Sequence, residues 1–150
     1  MGATASESTH SRLLTDVANA VVRVHKRYYG KGPERARAHL SRNLLTVILE
    51  GGLTRGEQTL QDHGHVAEVV RARLAMQDAM ESDFRAEIET LLYRSVRSFM
   101  SANDPRHDVQ AEIFVLEPEE PGETDQGERS AETLRESAVQ GGVSLERSQA

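Results

Sequence analysis

Residues 28–60 read YYGKGPERARAHLSRNLLTVILEGGLTRGEQTL and hold more folding information than any other segment of the chain. The segment opens with a helix stop made by Gly30, Gly32 and Pro33, because glycine relaxes the backbone and proline cannot continue the helical hydrogen-bond ladder. An alternating run, an apolar run and a capped helix start come next. This order predicts a helix that ends near Tyr29, then a β-hairpin, then a second helix.

The hairpin prediction depends on two kinds of hydrophobic pattern. Ala36, Ala38 and Leu40 alternate with charged or polar neighbours, which is the period of a half-buried strand. Residues 44–49 form an apolar run with Val and Ile that is long enough for a strand and too short for a helix. The Ser-Arg-Asn sequence of residues 41–43 supplies a tight turn between the two strands.

A helix start follows the hairpin. Gly51 and the glycine after it break the second strand. Thr54 and Glu57 then have the spacing of a capping box, in which each side chain accepts a hydrogen bond from the backbone N–H of the other residue. We expect the short helix to end near Asp62 and Gly64 to interrupt the chain after it.

Apolar residues at helical spacing flank this segment on both sides. On the N-terminal side they predict a helix over residues 8–29. Its stripe consists of Leu14, Val17, Val21, Val24 and Tyr28. On the C-terminal side residues 65–93 keep mostly helical spacing, with a kink or break expected at Ser82 and Asp83. The apolar positions there are Val66, Val70, Leu74, Met80, Phe84, Ile88 and Leu91.

Two more strands complete the pattern, over residues 96–100 and 109–116, with the Asn-Asp-Pro turn sequence at residues 103–105 between them. Because the strands come as hairpins and do not alternate singly with helices, the pattern favours an α+β fold with an antiparallel sheet. We predict one domain over residues 8–116. In it, a four-stranded antiparallel sheet of two hairpins is packed mainly on one face by an N-terminal helix and a long central helical segment.

Charge is distributed unevenly along the chain. Residues 117–150 hold nine acidic and three basic residues and almost no large apolar side chains, which predicts a disordered acidic tail. Of the 24 acidic and 18 basic residues in the chain, 15 of each therefore precede the tail. A neutral body argues against a dedicated nucleic-acid-binding protein, whose domain is usually distinctly basic.

Several classes of protein are excluded or disfavoured by composition. The chain has no cysteine, so disulfides and thiolate metal sites are excluded. No uninterrupted apolar run approaches the roughly 20 residues that span a bilayer. The first residues lack the charged-then-apolar pattern of a signal peptide. We expect a soluble, cytoplasmic protein without a cofactor.

The strongest surface feature is a basic segment over residues 23–42, which has seven cations and one acid, Glu34. One interpretation is a site for an anion or an acidic partner, built from Arg23, Arg27, Lys31, Arg35 and Arg37. The other is a solvated helix face followed by an edge strand that arginines protect from aggregation. We favour the second interpretation, since charge runs are usually solvated.

Catalytic and metal-binding interpretations are weaker. His63 and His65 supply at most two ligands, whereas a metal site needs three or four that converge, so we expect a loop cap and no metal. Glu50 and Glu112 lie in or at the end of apolar strands and could perform acid–base chemistry if they faced each other. More often such residues lie on the solvent side of the sheet, and we expect no catalytic residue.

The N-terminal stripe also leaves two alternatives open. Its spacing of three and four residues is that of a coiled coil, so the helix could form the seam of a homodimer. Packing against the sheet uses the same pattern and is the more common case. The stripe spans too few heptads to separate the two.

Five motifs occur in a fixed order along the chain: YYGKGP, ARAHLSRN, LLTVILEGGLTRGEQTL, VVRARLAMQDAM and EIFVLEP. Together with the helix that ends in YYGKGP, they resemble the MpsC-like family of small bacterial proteins, also called YbcI-like. The resemblance covers about residues 11–118. The family is named for a Na⁺-translocating, membrane-potential-generating system. One departure is Tyr93-Arg94, where the resemblance implies Gly-Arg.

The resemblance implies a role beside membrane proteins that import ions. No segment of the sequence can span a bilayer. The resemblance therefore implies a soluble accessory or regulatory protein, cytoplasmic or peripheral at the inner face of the membrane. The partner it implies is a membrane-protein complex for ion translocation. It brings no catalytic residues with it. The alternatives are an anion- or nucleic-acid-binding module that uses the basic segment and, third, an enzyme with carboxylate or histidine chemistry.

Overall fold

A computed structural model describes residues 3–119 of the chain as three α-helices, four strands and one 3₁₀ turn. In chain order these are α1 (Ala3–Tyr29), β1 (Arg35–Ser41), β2 (Leu44–Glu50), α2 (Arg55–Asp62), α3 (Val66–Leu92), β3 (Val96–Asp104), the 3₁₀ turn (Pro105–His107) and β4 (Val109–Leu116). The predicted α+β class and the four-stranded antiparallel sheet are confirmed. The predicted tail lies outside the described residues from residue 120 onward.

The sheet joins the two predicted hairpins side by side. Its strand order is β1-β2-β4-β3, and every neighbouring pair is antiparallel. Strands β2 and β4 therefore form the centre, with Leu44 opposite Val115 and Glu50 opposite Val109. The register between β3 and β4 shifts once, between Val96 and Ser98. Strands β1 and β3 are the edges.

The core lies between one face of the sheet, the inner face, and the helices α1 and α3. Alternate residues of β2 and β4 point into it, and so do the buried residues of both helices. The fully buried apolar side chains include Val17, Val21, Val24, Leu45, Val47, Met80, Phe84, Ile88, Phe114 and Leu116. Burying each such side chain stabilises the fold by about 1.5–3 kcal/mol relative to leaving it in water.

Helix α1 begins earlier than the sequence pattern predicts, at Ala3 instead of residue 8. Its first two and a half turns are exposed, so they carry no apolar stripe to signal a helix. The middle of the predicted stripe is core, because Val17, Val21 and Val24 are completely buried within the described chain. The centre of the stripe therefore packs inside the molecule, whereas Tyr28 at its end is 37% exposed.

The local signals of the first hairpin and of α2 match the structure. Strand β1 ends at Ser41 and β2 begins at Leu44, with Arg42 in the left-handed region at φ 56°. The capping box before α2 is present: the Thr54 hydroxyl accepts from the N–H of Glu57, and the Glu57 carboxylate accepts from the N–H of Thr54 at 2.8 Å.

The second half of the fold departs from the prediction in two places. Helix α3 is continuous from Val66 to Leu92, so the break expected at Ser82 and Asp83 does not occur. Strand β3 extends to Asp104, four residues beyond the predicted end, and the turn is made after it by residues 105–108. Both differences arise because packing along the sheet continues where the local pattern weakens.

Helix α3 ends at a residue whose backbone is unfavourable for its side chain. Tyr93 forms the C-cap with φ 53° and ψ 34°, and its N–H donates to the carbonyl of Glu89. The left-handed conformation favours glycine, because other residues bring Cβ close to the following carbonyl. The resemblance to the MpsC-like family implies glycine at this position. Glycine would end α3 there with less backbone strain than Tyr93.

Tyr93→Gly is expected to raise the free energy of unfolding by about 0.5–1 kcal/mol, because glycine adopts the left-handed conformation without a steric penalty. The Tyr93 side chain is 93% exposed, so little packing is lost. Urea unfolding followed by circular dichroism measures the change. Tyr93→Ala is the control, since alanine keeps Cβ and loses the same contacts. Equal stabilities of the two variants would contradict the strain assigned to Tyr93.

Candidate functional site

Five polar or charged side chains of the described chain are buried between the helices and the sheet. They come from three elements and each is at most 5% exposed: His25 on α1, Arg73 and Gln77 on α3, and Gln110 and Glu112 on β4. A buried polar group destabilises a protein unless it is hydrogen-bonded, and a buried charge does so unless it is also paired. We call these five residues the polar cluster.

The Arg73 guanidinium lies at the centre of the polar cluster. Its Nε and Nη2 atoms each donate to one carboxylate oxygen of Glu57, both at 2.8 Å. Its Nη1 donates to the side-chain oxygen of Gln110 at 2.6 Å, and Nη2 also donates to the carbonyl of Gly52 at 2.9 Å. One side chain of α3 is thereby tied to α2, to the loop before α2 and to β4.

The second half of the polar cluster surrounds Glu112. Its Oε1 atom lies 3.2 Å from Nε2 of His25 and also accepts a hydrogen bond from the Gln110 amide. Oε2 of the same carboxylate has no hydrogen-bond partner among the described residues. Gln77 and Asn103 exchange hydrogen bonds of 3.0 and 3.3 Å, which extends the network to β3.

Tyr29, at the end of α1, closes one side of the polar cluster. Its ring stacks on His25 with centroids 5.6 Å apart, and the Arg73 guanidinium carbon lies 4.9 Å from the tyrosine ring centroid. Such a cation–π contact adds about 0.5–2 kcal/mol. Burial raises the pKa of Tyr29 to about 12, partly opposed by the positive charge of Arg73. The phenol therefore stays protonated at neutral pH.

A small cavity adjoins the polar cluster. It measures about 10 Å³, enough for about one water molecule. The residues that line it include His25, Arg73, Asn103, Asp108 and Gln110. The cavity is small, and Arg73 is paired within the chain. Both observations fit a structural role for the polar cluster, in which it orients the helices on the sheet.

The charged surfaces show how the predicted anion or partner site is arranged. Arg23 pairs with Glu87 at 3.5 Å and Arg27 with Asp83 at 3.0 Å, both between α1 and α3. Lys31 donates to the carbonyl of Leu53 at 3.0 Å.

Arg35 and Arg37 lie elsewhere, on the outer face of the sheet, where they pair with Glu50 at 3.0 and 3.8 Å. The alternation of β1 directs Ala36 and Ala38 towards the core and these arginines away from it. The structure therefore does not bring the predicted cations together into one patch.

The predicted structural residues cluster around the ends of the first hairpin. Gly30 ends α1 at φ 73°, and Gly32 and Pro33 lead the chain into β1. Gly51 has φ 72°, and a Cβ added there would lie 2.9 Å from the Glu34 side chain. The position of Gly51 therefore requires glycine for its backbone and for the space beside it.

The candidate catalytic residues are separated. Glu50 lies on the outer face of the sheet, whereas Glu112 is buried on the inner face. Glu50 is opposite Val109, which is three residues before Glu112 in β4, so the two carboxylates point to opposite sides. The expectation that Glu112 faces solvent is wrong.

His63 and His65 are exposed beside the turn between α2 and α3. The ring nitrogen Nδ1 of His63 lies 2.8 Å from the carbonyl of Thr59, which fits the expected capping role. Among residues 3–119 no three His, Cys, Asp or Glu side chains lie close enough to hold a metal ion.

The prediction from sequence missed Arg73, Gln77 and Gln110. A signal for the first two exists in α3, because they fall in phase with the buried stripe of that helix. The stripe consists of Val69, Arg73, Gln77, Met80, Phe84 and Ile88. The apolar residue Leu74, which the sequence pattern assigns to the stripe, is 44% exposed. The apolar pattern follows Val70 and Leu74, whereas the buried positions are one residue earlier, at Val69 and Arg73. The polar side chains at two core positions therefore hid the true buried face of α3.

The fold and the polar cluster define a two-layer α+β scaffold in which the buried Arg73 is paired with Glu57. Over residues 9–118 the chain matches the family model described as Na⁺-translocating membrane potential-generating system (MpsC). The chain belongs to this family. No curated protein and no solved structure matches it. Within the described residues, no helix is both long and apolar enough to cross a membrane.

Acid is expected to weaken the fold through Glu57. Burial opposes ionisation of this carboxylate, but hydrogen bonds from Arg73 and Thr54 outweigh burial and lower its pKa. Because the folded pKa lies below the unfolded value, the stability that Glu57 contributes is present above about pH 4.5 and is lost as pH falls through the folded pKa.

Urea unfolding of wild type and Glu57→Gln at several values between about pH 6 and 3 tests this. Glutamine keeps the capping hydrogen bond but does not titrate, so the variant should be less stable at pH 6 and should lose less stability on acidification. Glu68→Gln, at an exposed position of α3, is the control. Parallel pH profiles of wild type and Glu57→Gln would contradict the role assigned to Glu57.

Proposed function

We propose that this protein is a non-enzymatic accessory or regulatory protein that binds a component of an ion-translocating membrane system. The observation that carries the proposal is the family match over residues 9–118, which covers the whole sheet, all of α3 and α1 from residue 9 onward. In this proposal the protein acts in the cytoplasm or at the inner face of the membrane, and its exterior performs its function by contacting a membrane-protein complex.

The surface we assign to this contact is the cationic side of α1, formed by Arg23, Lys26 and Arg27. The side chains of Arg23 and Arg27 are 59% and 57% exposed, and Lys26 is exposed beside them. Their partners are the acidic residues Glu87 and Asp83 of α3. We call this surface the α1 basic surface.

Weak internal pairing makes this surface suited to an exchange of partners. Exposed ion pairs contribute only about 0–1 kcal/mol, since solvent and salt screen them. An acidic segment of a partner can therefore replace Glu87 or Asp83 at little cost in stability. Arginine is well suited to this exchange, because its planar guanidinium binds carboxylates in a bidentate manner.

The same observations favour a protein partner over the alternatives. Binding nucleic acid requires several cations along one surface, whereas Arg23 and Arg27 lie on the helical side of the sheet and the other two paired arginines, Arg35 and Arg37, lie on its outer face. The enzyme alternative would need Glu50 and Glu112 to converge, and they lie on opposite faces.

Reversing charge on the α1 basic surface tests the proposal. Arg23→Glu combined with Arg27→Glu is expected to reduce capture of a membrane-protein partner from detergent-solubilised native membranes at least tenfold, because the new carboxylates repel acidic partner groups. The measurement is affinity purification with the tagged full chain, quantified by mass spectrometry. Circular dichroism should be unchanged, since both positions are largely exposed.

The matched control is Arg71→Glu combined with Arg106→Glu, which makes the same change in charge at exposed positions away from α1. It should capture the partner as wild type does. Equal capture by wild type and the Arg23/Arg27 variant would remove the α1 basic surface from the proposal. Absence of any membrane-protein partner for the wild-type chain would overturn the accessory function itself.

A further inference from the structure

The outer face of the sheet is apolar at its centre and has no helix packed on it within residues 3–119. Along β2 and β4, Leu44 lies opposite Val115, Thr46 opposite Ile113 and Ile48 opposite Ala111. Met100 of β3 lies beside Ile113 and is 50% exposed, and Leu44 is 45% exposed. We call this surface the outer apolar face.

Such a face is unusual on a protein that works alone. An antiparallel sheet with one solvated face normally alternates apolar residues inside with polar residues outside. Strand β4 instead places Ala111, Ile113 and Val115 on the outer face. These three residues are half-buried, and exposed Leu44 and Met100 lie beside them. Contiguous accessible apolar patches mark interaction sites.

The outer face of the whole sheet, including its charged edges, reaches the lower size limit of a dimer interface. Four strands spaced about 4.8 Å apart and about seven residues long cover roughly 20 by 23 Å. Packing two such faces together would bury on the order of 1,000 Å² in total, which is about the lower limit for a specific interface. Sheets that pack face to face in this manner form the core of a β-sandwich, about 10 Å thick.

The charges at the two edges of the sheet indicate that the partner of the outer apolar face is a second copy of the same chain. Arg35 on edge strand β1 and Asp104 on edge strand β3 lie in the same row of the sheet, since both are in register with the Glu50–Val109 pair. A two-fold axis parallel to the strands places β1 of one copy over β3 of the other at the same height. Arg35 of each copy then faces Asp104 of the other. Within one chain Arg35 pairs with Glu50 at 3.0 Å and Asp104 with His107 at 2.7 Å, and both Arg35 and Asp104 are exposed, so each can also reach a group on the second copy.

The other two-fold arrangement is disfavoured by the same charges. An axis perpendicular to the strands would place β1 over β1 in the reverse direction, so that Arg35 and Arg37 of one copy would face Ser41 and His39 of the other and would meet no carboxylate. A two-fold interface requires a self-complementary surface. The edges of this sheet are self-complementary only in the first arrangement.

We propose that the outer apolar face is the interface of a two-fold homodimer, in which the two sheets pack together and Arg35 of each copy pairs with Asp104 of the other. This proposal does not depend on the proposed function, because the α1 basic surface lies on the helical side of the sheet and remains exposed in the dimer. The homodimer left open by the sequence would then form through the sheet and not through α1.

Sedimentation equilibrium of the full chain over a concentration series tests the proposal. Wild type is expected to sediment at twice the 16.6 kDa mass of the chain. Leu44→Arg combined with Met100→Arg should raise the dimer dissociation constant at least tenfold, because both arginines would be buried against apolar groups. The matched control is Leu60→Arg combined with Leu74→Arg, at helical positions that are 43% and 44% exposed.

A charge exchange tests the orientation. Arg35→Asp should weaken association about tenfold, and adding Asp104→Arg should restore it, because the pair is then reversed at both edges. A monomeric wild type at about 100 µM, or equal dissociation by the Leu44/Met100 and Leu60/Leu74 variants, would overturn the interface. Failure of Asp104→Arg to restore association would overturn the two-fold orientation.

Discussion

A buried guanidinium on α3 sets the geometry of this fold. Arg73 is almost completely removed from solvent, and its charge is tolerated because Glu57, Gln110 and the carbonyl of Gly52 all accept hydrogen bonds from it. Transferring an unpaired ion into such a site would cost several kcal/mol. The acceptors come from α2, β4 and the loop between β2 and α2, so satisfying one side chain fixes the positions of three parts of the chain relative to α3.

The sequence predicts the elements better than it predicts what they bury. Alternation in β1 and the capping box at Thr54 are local signals, and the structure contains both. In β4 both faces carry apolar residues, so alternation alone could not show that Glu112 points inward. The strand order β1-β2-β4-β3 depends on pairing between distant segments, which no local pattern contains. The polar cluster escaped prediction for a similar reason, because Arg73 resembles a solvated helix residue until its partners are known.

The scaffold presents two surfaces of opposite character, and their separation suits an accessory protein. The helical side exposes the α1 basic surface, where Arg23 and Arg27 hold weak pairs that a partner can replace. The sheet side exposes the outer apolar face, bordered by Arg35 and Asp104. A homodimer closed through the sheet would present the α1 basic surface twice, so a partner complex with two equivalent acidic segments would bind with avidity. The polar cluster lies between these two surfaces and joins the helices to the sheet through hydrogen bonds.

Replacement of Arg73 by methionine tests this account most directly, because methionine fills similar volume but leaves Glu57 and Gln110 without their donor. Arg73→Met should lower the free energy of unfolding by about 3–5 kcal/mol in urea titrations, because one partner of a buried pair is removed. Arg71→Met, two residues away on an exposed face of the same helix, should change it by no more than about 0.5 kcal/mol. Equal stabilities of the two variants would contradict the claim that Arg73 holds the layers together.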